Sequence, residues 1–276
     1  MSILNQDTLL GLASVVYAAI GVYFWRSRWA NNATASGKPM TGMERLLVAT
    51  GAALHSGGLY AAAFPAGAMV FSFSLALSLM LLLAVIVYWL ESFSSRVEGL
   101  QTLVMPAAAF CALLPLVFDR SHALEHASNL GFRLHFLSAM LAYSLFTLAA
   151  LHALLMGFAE QRLHRRTLSR GLIALPPLLS MESLLFRMVG VAFALLTIAV
   201  GSGVFFSELI YGKAMRLDHK TIFAIASWCL VAALLAGRHF RGWRGKTAQR
   251  WLIASFVTLL LAYVGSRFVA EVLLGR

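Results

Sequence analysis

The chain has 276 residues, 60% of them hydrophobic and only 12% charged, and carries a formal net charge of +11. A water-soluble domain usually holds about 25% charged residues, which argues against a compact cytosolic enzyme, and the high hydrophobicity excludes a disordered chain. Cys111 and Cys229 both lie in apolar stretches, so there is no disulfide framework and no CxxC zinc or redox site.

The composition points to an all-α polytopic membrane protein. A helical span needs about 20 mostly apolar residues, because each adds about 1.5 Å against a hydrocarbon core of about 30 Å. Eight segments qualify: 8–25, 46–65, 69–90, 102–118, 133–158, 185–210, 221–237 and 251–271. We expect one transmembrane domain over 1–276, with no soluble domain and no low-complexity tract.

The first span follows Met1 to Asp7, which has no positive charge, and precedes Arg26 and Arg28. A secretory signal has its charges before the apolar run, so this segment reads as a membrane span. The second span carries His55 in "ALHSGGL", about ten residues and so roughly 15 Å beyond Arg45. Its neighbours Ser56, Gly57 and Gly58 are small, which admits close helix packing or a flat ligand. After the fourth span, His122 and His126 share one face if the loop is helical. No carboxylate or cysteine completes a metal set around them, so an exposed polar loop is the simpler reading.

The fifth span opens with His135 and holds His152 toward its other end, while His164 reads as surface. The segment Leu172 to Leu179 is too short to span and is broken by Pro176 and Pro177. Residues 163–183 are therefore expected to lie on the cytoplasmic surface, with a helix starting near Ser180. His219 and His239 flank the seventh span about 30 Å apart, too far to share one metal centre. Glu208 and Glu271 lie near span ends, and no carboxylate stands at mid-depth, which argues against a proton-coupled transporter.

Loops after spans one, three, five and seven hold 15 of the 22 Lys and Arg residues, and the opposite side holds 7. The positive-inside rule then turns the basic loops to the cytoplasm and both termini outward. A basic cytoplasmic face meets anionic lipid, so the charge requires no nucleic acid.

Neutral imidazole is a common metal ligand and a usual axial ligand of haem iron. Single histidines on separate apolar helices, without carboxylates, suit haem better than zinc or non-haem iron.

Several segments together resemble the cytochrome c assembly family, the CcsA/CcmC-type membrane proteins and their HemX-like relatives. "DHKTIFAIASWCLVAALLAGRHFRGWRG" is similar to a family stretch through Asp218, Lys220, Trp228, His239 and Arg241. Upstream, Leu175, Pro176, Glu182, Arg187, Gly201 and Gly203 match its proline-rich lead-in, helix start and Gly-x-Gly exit. "LHFLSAMLAYSLFTLAAL" resembles the helix with an outer histidine, here His135, and "ALHSGGL" the early transmembrane histidine segment, here His55.

The resemblance implies a bacterial inner-membrane protein that binds or passes non-covalent, b-type haem. His55 and His239 would be transmembrane axial ligands and His135 an outer ligand, with Asp218 and Trp228 in the cofactor segment. Depth alone leaves His152 as a rival partner for His239. Cytochrome c maturation or tetrapyrrole-pathway proteins are the implied partners.

The outer segment "YGKAMRLDHK" lacks the family's tryptophans, His219 replaces the proline after Asp218, and the late outer histidine is absent. These departures place the chain with a small accessory or HemX-like branch, and cytochrome c synthetase activity is not expected. A membrane regulator or scaffold acting through loops 159–187 and 238–250 without haem is the alternative. A small-molecule transporter stands third, on the glycines at 57, 58, 190, 201, 203 and 265.

Overall fold

A computed structural model describes residues 5–30, 38–65, 69–94, 99–118, 122–123, 129–165, 175–211 and 218–274 (backbone only at 204–211). Among them are eight main helices: α1 Gln6–Trp29, α2 Gly42–Ala63, α3 Phe73–Glu91, α4 Gln101–Val117, α5 Leu130–His164, α6 Leu178–Tyr211, α7 His219–Arg241 and α8 Gly245–Leu273. Seven are long and apolar enough to cross a membrane, and α4, at 17 residues, is the short one. The all-α polytopic architecture is therefore as expected.

Side-chain caps set where most of these helices begin. Asn5, Ser72, Asn129 and Asp218 each accept from a backbone N–H of the first turn of α1, α3, α5 and α7. Thr41 and Glu44 cap α2 reciprocally. α6 starts directly after Pro176 and Pro177, with Ser180 and Met181 both donating to the Pro177 carbonyl. Proline is preorganised for a helix entry, so the helix begins slightly ahead of the expected Ser180. Residues 166–174 of the expected surface segment lie outside the described residues.

Successive helices alternate in direction. At one end, Arg45 of α2 donates to the Ser92 carbonyl after α3 (2.8 Å), and Arg187 of α6 pairs with Glu91 of α3 (2.6 Å). At that same end Arg238 of α7 pairs with Glu182 of α6 (2.5 Å). We call this the basic end. At the far end Ser74 donates to the Phe118 carbonyl (2.9 Å), and Phe73 N–H donates to Glu271 of α8 (3.1 Å). There β1 (Val70–Phe71) pairs antiparallel with β2 (His122–Ala123), Phe71 opposite His122. His122 is thus in extended backbone, without helical i, i+4 geometry, and His126 lies outside the described residues.

α5 is the central element, with 72% of its apolar window buried, whereas α7 and α8 bury 22% each. α1 packs on α2 and α4, α3 on α2, α4 and α5, α5 on α6 and α8, and α7 on α6 and α8. Two carboxylates, Glu44 and Glu271, the latter expected only near a span end, are enclosed. Glu44 (5% exposed) receives both Arg28 Nη2 contacts, at 2.8 and 3.0 Å, and Arg28 also donates to the Lys38 carbonyl. Glu271 (1% exposed) accepts from the first turn of α3 and lies 3.7 Å from His122 and 3.8 Å from Arg267.

Candidate functional site

His55 sits in the middle of α2 with no exposed surface. Its Nε2 is 2.8 Å from Ser78 Oγ on α3, and the edge of Tyr17 on α1 meets its ring at 5.7 Å between centroids. Its Nδ1 is buried and has no hydrogen-bond partner. The small residues around it are taken up by α1. A Cβ on Gly51 would lie 2.9 Å from Tyr17 Cε1, and one on Gly58 2.8 Å from Leu10 Cγ. The room that the sequence leaves for a flat ligand is filled by protein.

His152 on α5 is equally enclosed, at 1% exposure. Its Nε2 donates to the Met181 carbonyl at 3.0 Å. A carbonyl only accepts, so the neutral ring carries its proton on Nε2 and its lone pair on the unpartnered Nδ1. Two imidazoles therefore stand in the apolar interior, each with a buried Nδ1 that no protein group satisfies.

His135 lies half-buried near the far end of α5, its Nδ1 3.0 Å from Ser202 Oγ on α6. Ser202 directs its own hydroxyl to the Ala199 carbonyl (3.1 Å), so Oγ accepts from Nδ1–H. That fixes the tautomer with Nε2 as the basic nitrogen, as hydrogen-bonded partners do for metal-ligating histidines. Gly203 makes the close approach feasible, since a Cβ there would lie 3.4 Å from His135 Cε1.

His239 is exposed in the last turn of α7, with its ring edge-on to Phe240 at 4.8 Å. Trp228 donates to Thr197 Oγ1 (2.9 Å) and stacks on Phe193 (5.5 Å), tying α7 to α6. Asp218 accepts from Thr221 N–H and Oγ1, both at 2.9 Å, as the cap of α7. Both residues thus have structural work. His55 faces α1 and α3, whereas His239 stands on α7 beside its turn into α8, and the structure does not bring the two rings together. Among the described residues no group of three or more metal-ligating side chains converges. The sequence reading missed Tyr17, Ser78 and Ser202; hydroxyls inside apolar runs are the signal that could have found the last two.

Haem needs a donor nitrogen and a flat apolar approach to it. His55 supplies the donor, but Leu10, Tyr17 and Ser78 occupy its surroundings. His135 supplies an imidazole oriented by Ser202 and only half-buried, without the enclosure seen at His55.

The sequence profile described as "Cytochrome C assembly protein" matches residues 44–274. The chain belongs to the cytochrome c assembly protein family. Among its relatives, Inner membrane protein YpjD of Escherichia coli K12 is 28% identical over 175 residues, 62% of this chain and 65% of that protein. A 28.8 kDa protein of Azospirillum brasilense is 30% identical over 149 residues, 54% of this chain and 55% of its own. Cytochrome c biogenesis protein CcsA of Gloeobacter violaceus is 28% identical over 92 residues, 33% of this chain and 27% of its own. The chain thus spans less than two thirds of the length of each of these relatives. No solved structure matches. With seven helices among the described residues apolar enough to span, and with this kinship, the protein is a multi-pass bacterial inner-membrane member of the cytochrome c assembly family. The matched region begins at Glu44, so α1, which covers His55, precedes it.

Proposed function

We propose that this protein binds or passes non-covalent haem within the inner membrane, with the bilayer and other maturation proteins as partners. The observation that carries the reading is His135, a half-open imidazole whose Nδ1 is anchored by Ser202. The assembly role carried in the names of its family and of CcsA points the same way. His135 would hold the iron, and bound haem would supply a redox-active or transferable iron porphyrin. His55 and His239 are proposed as donors of a second, transmembrane site, with His152 the rival to His55 as partner of His239. Loading His55 requires α1 to move, because Leu10 and Tyr17 close its side of the ring. In this proposal the basic end faces the cytoplasm and both termini face outward, which reporter fusions at each terminus and in the α5–α6 loop would test.

The deciding measurement is the absorption spectrum of detergent-purified protein, oxidised and dithionite-reduced, with a pyridine haemochrome assay. His135→Ala is expected to lose the haem signal, and His55→Ala or His239→Ala to lose any second component. No haem in the wild type, even with haem supplied during expression, overturns the proposal. The enclosed state of His55 favours the second reading, a haem-free regulator or scaffold acting through its basic loops, and that outcome would select it.

A further inference from the structure

We propose that the turn joining α7 to α8 is a binding site for the phosphodiester headgroup of an anionic phospholipid. The inference does not depend on haem. α7 ends at Gly242, whose φ of 65° is open to glycine, with Gly242 N bonded to the Arg238 carbonyl and Trp243 N to the Gly237 carbonyl, both 3.2 Å. The Trp243 indole lies directly on Gly237, where a Cβ would sit 2.3 Å from its Cε3, and leans on Trp251 of α8 at 5.1 Å. Backbone and indoles thus hold the turn in one shape.

That frame presents Arg241, Arg244, Lys246 and Arg250, all exposed. The carboxylate that the ion pairs bring to the turn is Glu182, and it is taken by Arg238 at 2.5 Å with Arg244 Nε at 3.7 Å. Among the described residues Arg241, Lys246 and Arg250 form no ion pair. Lys246, in the first turn of α8, and Arg244, its cap, also oppose the helix dipole. The first turn of α8 contains no acidic residue, and Arg244 caps it without a side-chain hydrogen bond. A helix start normally attracts anions and repels cations. Arg244 and Lys246 at that start are unfavourable in isolation and become favourable once an anion joins them, with Arg241 at the end of α7 and Arg250 one turn into α8 adding to the same positive patch.

Position selects lipid as the source of that anion. The turn joins two membrane-crossing helices, α7 and α8, whose surfaces are largely uncovered by protein. Phe240, 81% exposed, projects beside the cations as an apolar anchor at the membrane boundary. Basic residues clustered beside a span are the usual reader of anionic headgroups.

The test uses the full-length purified protein with added phosphatidylglycerol or phosphatidylcholine, read as bound lipid by native mass spectrometry and as thermal stabilisation. The wild type is expected to prefer phosphatidylglycerol. Arg241→Gln/Lys246→Gln/Arg250→Gln should weaken that preference about a hundredfold at low salt, with unchanged size-exclusion behaviour and stability in phosphatidylcholine. Arg26→Gln/Arg162→Gln/Arg165→Gln removes three exposed cations elsewhere at the same end and should keep it. Equal loss in the two triple variants, or equal binding of the two lipids by the wild type, overturns the proposal. Capture of a polyglutamate peptide in place of phosphatidylglycerol also overturns it and assigns the turn to an acidic protein segment.

Discussion

His55 and His239 are paired by the sequence resemblance and stand in opposite surroundings. Both have glycine close by. At His55 the glycines accept α1, through Tyr17 on Gly51 and Leu10 on Gly58, and the ring is sealed. At His239 the nearby Gly237 accepts Trp243, and the imidazole is left outside on Phe240. Glycine beside a membrane histidine therefore signals close approach without saying of what. In both regions the approaching group is the protein itself.

The His55 region is the easier to break. Arg28 and Glu44 are 4% and 5% exposed and close the connection between α1 and α2. Arg28→Ala leaves a buried carboxylate without its partner, which costs about 3–5 kcal/mol. Thermal unfolding of the detergent-purified protein should show the largest loss here. The same variant should open His55 to diethylpyrocarbonate, which in the wild type is expected to modify His239 and spare His55. Modification of His55 in the wild type would show that α1 does not seal it.

Gly58→Val acts on the same contact directly. Its Cβ would meet Leu10 Cγ at 2.8 Å and the Leu10 backbone nitrogen at 3.0 Å, and backbone cannot swing away. Overpacking of this kind costs about 1–3 kcal/mol. Gly57→Ala, whose Cβ would stand 3.5 Å from Leu9 Cδ1, should be tolerated and serves as the control. Ser78→Ala removes the hydrogen-bonding partner of His55 Nε2 and leaves both ring nitrogens unsatisfied, at a cost of about 1–3 kcal/mol.

These variants separate what the sequence revealed from what it withheld. The spans were legible because apolar length is a local property, and even the short α4, with Pro106 and Pro115 inside it, was found by its composition. The starts of α2 and α7 follow from Thr41 and Asp218, again local. Glu44 was not singled out, and Glu271 was read only as lying near a span end, because the sequence shows depth along a helix but not what covers it. Arg28 closes over the first, and the first turn of α3 over the second, 198 residues away in sequence. Of the candidate site, the residue types were visible and their partners were not. Ser202 beside His135 and Tyr17 beside His55 depend on which helices pack together.

His239→Ala should have the smallest effect and sharpens the comparison most. The ring is exposed, and among the described residues its ring contact is with Phe240. Substitutions at such positions usually change stability by less than about 0.5 kcal/mol, so the unfolding midpoint should not move. A histidine without a packing role that nonetheless changes the haem spectrum when removed acts through the cofactor alone. At His55 the same loss would mix cofactor with a disturbed α1–α2–α3 contact, which is why Ser78→Ala must accompany it. A spectrum unchanged by His239→Ala would remove this residue from the transmembrane site and leave His152, with its lone pair on Nδ1, as the remaining donor to test against His55.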